Sequence, residues 1–179
     1  FLIEKISSIL NLGYDNFELI ISDNGSTDST KKICEEFALK DKRIRFFCQE
    51  ENLGPNWNFD FILKKAKGEY FMWTAVDDKI LPRFIEKNIS VLENNMDIVC
   101  SVSQVKPYGK KTEFLEEKQT TGFFRKIKKK AIRSFTPLKN YSTSGSYEKN
   151  IRMYLKLRGH QQVFYGIYST KQIKEIFED

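Results

Sequence analysis

Apolar positions in the first hundred residues alternate between helical and strand-like spacing. Leu2, Ile6 and Ile9 recur every three to four residues, which is typical of the buried face of a helix. Phe17 to Ile21 is instead a short apolar-rich run, which favours a strand. The alternation continues, with strands predicted at residues 43–48, 70–75 and 98–105 and helices beginning near residues 26, 55 and 82. This order predicts an α/β fold with a mainly parallel sheet flanked by helices.

The pattern loosens after residue 105, and we divide the chain there. A polar stretch is followed by a basic helix predicted at residues 123–135. A strand predicted near residues 163–168 and a last helix from Thr170 would return the chain to the sheet. We therefore expect a first part, residues 1–105, and a second part, residues 106–179.

The composition is that of a globular chain. Hydrophobic residues make up 40% of the sequence, and no apolar run approaches the ~20 residues of a membrane-spanning helix. The 3 cysteines are an odd number without metal-ligand spacing, which favours a reducing compartment such as the cytoplasm.

Charge is distributed unevenly between the two parts. Residues 1–100 hold 13 Lys or Arg and 17 Asp or Glu, whereas residues 101–179 hold 17 and 7. A basic second part suits an anionic partner such as phosphate, membrane lipid or nucleic acid. Charge alone does not choose among these partners.

Two predicted loops carry acids at the carboxyl ends of strands, where open α/β sheets place their ligands. In the first loop, Asp23 and Asn24 leave the strand, Gly25 allows a tight turn, and Ser26 or Thr27 begins a helix. An Asp or Asn at that point can bind the edge of a base or a ribose. The alternative is a plain turn with a helix cap.

The second loop places Asp77 and Asp78 side by side after the aromatic strand that begins at Tyr70. Adjacent carboxylates repel each other unless a cation or hydrogen-bond donors compensate. Their hard oxygen atoms favour Mg²⁺ or Mn²⁺ bridging to phosphate oxygens. The alternative is a solvated pair that caps the helix after Pro82.

Four motifs in this order resemble those of the inverting family 2 glycosyltransferases, which have the GT-A fold. They are Asp23-Asn24-Gly25-Ser26-Thr27-Asp28, Glu51-Asn52-Leu53-Gly54 with Asn58, Ala66-Lys67-Gly68-Glu69-Tyr70, and Trp73-Thr74-Ala75-Val76-Asp77-Asp78 followed by Pro82. The first matches the family's Asp-Asp-Gly-Ser-Thr-Asp loop, and the last falls on its Asp-x-Asp region. The resemblance implies a Rossmann-like GT-A domain in which residues 1–105 bind a nucleotide sugar and residues 106–179 form a basic, helical acceptor-side segment.

The resemblance also implies roles for particular residues. The implied donor-binding residues are Asp23, Asn24, Asn58 and Asp77, and the implied metal ligands are Asp78 and Asp77. The ion would be Mn²⁺ or Mg²⁺, the donor a nucleotide diphosphate sugar such as a uridine diphosphate (UDP) sugar, and the acceptor a saccharide or a lipid-linked molecule. The implied reaction is a single inverting displacement assisted by a carboxylate base, in cell-surface polysaccharide synthesis.

The chain departs from the family pattern at several positions. Asn24 stands where the family has a second Asp, Ala75 replaces the first Asp of Asp-x-Asp, and Trp57 replaces an Arg found in many members. The family's opening strand is expected just upstream of Phe1, so we expect the chain to be truncated at both ends. We assign no catalytic base.

Two features of the second part carry further expectations. His160, the single histidine, precedes the last predicted strand and is a candidate phosphate contact, although a lone histidine is more often an ordinary surface or core residue. Residues 123–135 combine an apolar stripe with many Lys and Arg. This pattern favours contact with an anionic membrane at its inner face or, equally, an exposed basic face over the domain's own core.

Two other classes of function remain beside a glycosyltransferase. In the first, the chain is a catalytically inactive nucleotide-binding fragment or a degenerate relative. In the second, it is a nucleic-acid-binding module, but the sequence lacks an aromatic RNA platform and a DNA-reading helix. We therefore expect no nucleic-acid partner.

Overall fold

The computed structural model describes residues 1–95, 98–102 and 166–178. All of them belong to one compact unit of the chain. The helices in these ranges are α1 (Leu2–Leu10), α2 (Thr30–Lys40), α3 (Pro55–Lys65), α4 (Phe84–Glu93) and α5 (Thr170–Glu178). The strands are β1 (Leu19–Asp23), β2 (Ile44–Cys48), β3 (Tyr70–Phe71), β4 (Cys100–Ser101) and β5 (Ile167–Ser169).

The strands form two sheets. In the first, β1 and β2 are parallel, with Leu19 opposite Ile44 and Asp23 opposite Cys48. In the second, β5 lies between β3 and β4 and is antiparallel to both, so β3 and β4 run in the same direction. The α/β fold expected from the sequence is confirmed, and the reversed strand is the one that returns from the second part of the chain.

The start of α2 differs from the prediction. The sequence places a cap at Ser26 or Thr27, whereas the helix begins at Thr30. Ser26 does not cap the helix, because its backbone N–H and its hydroxyl both donate to Oδ1 of Asp23. Asp28 lies before the helix, where its carboxylate accepts the N–H of Thr30 at 2.9 Å.

The bounds of α3 have local causes. The helix begins at Pro55, as predicted, because proline at the first helical position needs no hydrogen-bond partner for its nitrogen. It ends at Lys65. The N–H groups of Lys67 and Gly68 donate instead to the Glu18 carboxylate, at 2.6 and 3.1 Å, which turns the chain toward β3.

Two apolar clusters hold the sheets and helices together. Ile6, Cys34 and Ile44 form the first, between α1, α2 and β2. The second surrounds Trp73, which is 3% exposed and lies against the rings of its neighbours Phe59, Phe71, Tyr168 and Phe177. Burial of aromatic rings is a large source of stability, so this cluster fixes the chain just before the second acidic loop.

No helix among residues 1–95, 98–102 and 166–178 has the length and apolar character needed to cross a membrane. The predicted basic helix, residues 123–135, lies outside the described residues. So does the part of the predicted strand 98–105 that follows residue 102.

Candidate functional site

Asp23 is the last residue of β1, and it is 4% exposed. Oδ1 accepts both Ser26 donors, and Oδ2 faces Sγ of Cys48 at 3.9 Å. The backbone carbonyl of Asp23 also accepts the Gln49 N–H at 2.8 Å. Asp23 therefore organises the turn at the carboxyl end of the first sheet.

The side chain of Asn24 joins this turn to the loop that follows β2. Its Nδ2 donates to Asn52 Oδ1 at 2.9 Å and to the Gly54 carbonyl at 3.2 Å. Its Oδ1 accepts the Leu53 N–H at 3.0 Å. An aspartate cannot make the first two bonds, because an ionised carboxylate has no hydrogen to donate.

Gly25 allows the two loops to approach closely. Its φ of +78° lies in the left-handed region, and an added Cβ would lie 2.7 Å from the carbonyl carbon of Glu51. Glycine is thus required here both by backbone conformation and by space.

Asn58, in the first turn of α3, binds the strand that leads into this turn. Its Oδ1 accepts the Ser22 hydroxyl at 2.6 Å, and its Nδ2 donates to the Ser22 carbonyl at 3.3 Å. The structure therefore places Asn58 against Ser22, the residue before Asp23.

The second acidic loop follows Trp73. Asp77 is exposed and Asp78 is half-buried. Oδ2 of Asp78 accepts the Ala75 N–H at 3.2 Å, and the Asp78 N–H donates to the Ala75 carbonyl at 3.3 Å. These two bonds close a tight turn in which one carboxylate oxygen of Asp78 is oriented by the backbone.

Lys5 of α1 lies against this loop. Its ammonium donates to Thr74 Oγ1 and to the Asp78 carbonyl, both at 2.7 Å. Burial lowers the pKa of Lys5, and the charges of Asp78 and Asp77 oppose part of that shift. Sequence reasoning missed this residue; the available signal was a lysine three residues after Leu2 and four before Ile9, on the apolar face of the helix.

Contacts through α3 connect the two loops. Asn58 holds Ser22 of β1, and the carbonyl of the next residue, Phe59, accepts the Trp73 indole N–H at 3.2 Å. Trp73 is the residue before Thr74, where the second loop begins. One helix turn thus ties both acidic loops to a common support.

The donor set of the second loop fits a shared ion better than a closed metal cage. Among the described residues, no three His, Cys, Asp or Glu side chains are grouped to hold a metal ion. The loop offers two adjacent carboxylates, and Mg²⁺ is commonly bound by one or two carboxylates together with substrate phosphates. The chemistry therefore fits an ion bound jointly by the protein and a diphosphate.

A cavity of about 360 Å³ lies between β1 and β3. Its walls are mostly apolar and include Leu19, Ile20, Phe71 and Trp73, whereas Asp23 and Asp78 are not among the lining residues. The cavity reaches the start of the second acidic loop at Thr74, but the carboxylates proposed to bind the donor and the ion do not line it. His160 lies outside the described residues.

The sequence matches the family model described as Glycosyl transferase family 2 over residues 1–155. The chain belongs to glycosyl transferase family 2. Among its relatives is an uncharacterized glycosyltransferase of Methanocaldococcus jannaschii, 34% identical over 72% of this chain and 45% of that protein. The glycosyltransferase GlyG of Streptococcus pneumoniae is 35% identical over 55% of this chain and 33% of its own length.

A solved structure supports the GT-A fold of this family 2 chain. The crystal structure of Staphylococcus aureus TarS, residues 1–349, superposes with a TM-score of 0.57 over 97% of this chain and 44% of that one, at 18% identity. The fold is therefore shared. The family 2 chain spans less than half the length of these relatives.

Proposed function

We propose that the protein is a metal-dependent glycosyltransferase that transfers a sugar from a nucleotide diphosphate donor to a saccharide or lipid-linked acceptor in cell-surface polysaccharide synthesis. Membership of family 2 supports the reaction class. The observation that carries the proposal is that adjacent residues of α3, Asn58 and Phe59, hold the segments that lead into the two acidic loops.

In this proposal the first loop receives the nucleoside of the donor. Asp23 and Asn58 are the donor contacts at the end of β1, and Asn24 shapes the neighbouring wall by holding residues 52–54. An amide in place of the carboxylate at position 24 reduces negative charge beside the donor. UDP is the first nucleoside diphosphate to test, because the family resemblance implies a donor such as a UDP sugar.

The second loop binds the diphosphate end through Asp78 and Asp77. When bound, Mg²⁺ or Mn²⁺ would neutralise charge on the leaving diphosphate. Asp78 is the principal ligand in this proposal because the Ala75 N–H already orients its carboxylate. Exposed Asp77 reaches either the ion or the ribose.

The acceptor and the cellular location are further parts of the proposal. All three cysteines are free, which agrees with a reducing cytoplasm. Residues 123–135, with their basic amphipathic pattern, would contact the inner face of an anionic membrane and bring the enzyme to a lipid-linked acceptor. His160 would contact a donor phosphate.

A thermal-shift titration tests the donor and metal site. The full-length protein is melted with UDP and the other nucleoside diphosphates, each with and without Mn²⁺. A ligand at 100 times its dissociation constant stabilises the folded state by about 2.7 kcal/mol and so raises the melting temperature. Because the proposed ion bridges the protein and the diphosphate, we expect this rise only when Mn²⁺ is present.

Two variants sharpen this test. Asp78→Asn should abolish the Mn²⁺-dependent shift, whereas Asp15→Asn, at a carboxylate 97% exposed near the opposite ends of the strands, should leave it intact. No shift with any diphosphate would refute the proposal. A shift without turnover of any nucleotide sugar, including hydrolysis, would instead support the inactive nucleotide-binding alternative.

A further inference from the structure

Lys5 occupies a position where a lysine is costly. Its side chain lies on the face of α1 that also buries Ile6 and Ile9, and the residue is only 6% exposed. Lysine is almost never buried so fully unless its ammonium is paired or hydrogen-bonded. The partners of Lys5 therefore indicate what the residue is for.

Both hydrogen bonds of the ammonium go to the second acidic loop. Thr74 Oγ1 lies at the start of the loop and the Asp78 carbonyl lies at its end, and each is 2.7 Å from Nζ. One ammonium thus spans the five residues from Thr74 to Asp78. The Ala75–Asp78 bonds lie inside the segment that it spans.

The same ammonium also interacts favourably with both carboxylates of the loop. Two adjacent carboxylates repel each other, and a buried cation beside them reduces that repulsion before any other cation binds. Lys5 thus combines a geometric restraint on the loop with charge compensation for it.

We propose that Lys5 is a positioning residue that holds the Thr74–Asp78 loop closed, so that Asp77 and Asp78 are presented to the divalent cation of the donor. This inference rests on the proposed function for the use made of the two acids. The restraint on the loop itself stands on the two hydrogen bonds alone.

The two possible roles of Lys5, charge compensation and positioning of the loop, predict opposite changes in cation binding for the variant Lys5→Met. If Lys5 mainly supplies charge, its removal makes the loop more negative and strengthens binding of a cation. If it positions the loop, its removal leaves the carboxylates less ordered and weakens binding. Replacing a residue that hydrogen-bonds to a metal ligand and orients it typically lowers metal affinity by about 10- to 100-fold.

The first measurement is amide hydrogen exchange in the metal-free, full-length protein. The N–H groups of Ala75 and Asp78 are hydrogen-bonded within the loop, so Lys5→Met should speed their exchange. Thr74→Val, which keeps the lysine and removes one acceptor, should act in the same direction. Lys32→Met, at an exposed lysine of α2, loses the same charge and should change nothing at the loop.

The second measurement is Mn²⁺ affinity in the presence of UDP, followed by electron paramagnetic resonance of the free ion, with UDP and Mn²⁺ without protein as the blank. We expect affinity to fall about 10- to 100-fold in Lys5→Met and to recover in part in Lys5→Arg, which restores the donors. A lower melting temperature with unchanged Mn²⁺ affinity would show a merely structural lysine and overturn the proposal. So would stronger binding of Mn²⁺.

The two measurements also separate this inference from the proposed function. If wild-type protein binds no Mn²⁺ with any nucleoside diphosphate present, the metal-dependent function fails and so does the presentation of the acids to a cation. Faster exchange at Ala75 and Asp78 in Lys5→Met would still support the restraint. If exchange is unchanged in both Lys5→Met and Thr74→Val, the restraint fails whatever the wild-type protein binds.

Discussion

The side-chain amide of Asn24 donates to Oδ1 of Asn52 at 2.9 Å, which joins the turn after β1 to the loop after β2. This bond gives a physical reason for one departure from the family pattern. Where the family places a second aspartate, this chain uses an amide that both donates to and accepts from the neighbouring loop.

Replacing Asn24 by Asp should therefore weaken the protein rather than restore a family feature. The carboxylate would lose two donated bonds and face the acceptors Asn52 Oδ1 and Gly54 O. We expect a loss of about 1–3 kcal/mol in the free energy of unfolding, measured by urea denaturation. Asn16→Asp adds the same charge at an exposed position and is the matched control; equal effects in the two variants would contradict the role given to Asn24.

Gly25→Ala and Gly13→Ala form a second pair. Both glycines have positive φ, +78° and +74°, so both substitutions carry the strain of a left-handed residue, about 1–2 kcal/mol. Only at Gly25 does the new Cβ meet backbone atoms, whereas at Gly13 it has open space within 4 Å. Urea denaturation should show the larger loss for Gly25→Ala, and a smaller or equal loss would mean that the loops separate easily.

Glu18 should make stability depend on pH. Burial by itself raises its pKa, but Arg45 and the N–H groups of Lys67 and Gly68 outweigh that effect and lower the pKa below the ordinary 4.5. The carboxylate therefore stabilises the fold above its unfolded pKa, and this contribution is lost as pH falls through the lowered folded value.

The variant Glu18→Gln measures this contribution. At pH 7 it should reduce the free energy of unfolding by about 1–3 kcal/mol, because a charged acceptor is lost from three donors. The difference from wild type should shrink as pH falls below 4.5. Glu36→Gln, at an exposed position of α2, should show neither effect.

Trp73→Phe tests the support shared by the two loops. The variant keeps an aromatic ring but loses the indole bond to the Phe59 carbonyl and leaves space in a site that is 3% exposed. We expect a loss of about 1–3 kcal/mol in denaturation experiments. Trp57→Phe is the control, since Trp57 is 38% exposed; we expect a change within about 0.5 kcal/mol.

Features with local causes were predictable from the sequence. The start of α3 follows from Pro55, and the tight turn at Gly25 follows from its place between Asn24 and Ser26. The start of α2 was predicted wrongly because the neighbouring Asp23 binds Ser26. The pattern of apolar residues does not indicate whether Ser26 will bind the Asp23 carboxylate or cap the helix.

Features made by distant partners were not predictable. The Asn24 amide meets a residue 28 positions away, and Lys5 meets residues 69 and 73 positions away. Motif spacing identified the two acidic loops because each is a continuous segment of sequence. The apolar pattern of α1 marked Lys5 as an unusual lysine, but it did not indicate the partner, because only the packing of α1 against the loop brings the two together.

The place of β5 between its two partners has a consequence for folding during synthesis. β1 and β2 are complete once residue 48 has left the ribosome, but Tyr70 pairs with Ser169 and Cys100 with Tyr168. The second sheet therefore closes only after residues 167–169 emerge, and closing such long loops slows folding. Until then, the nascent protein can form the turn at Asp23, but β3, which leads to the Asp78 loop, has no strand to pair with.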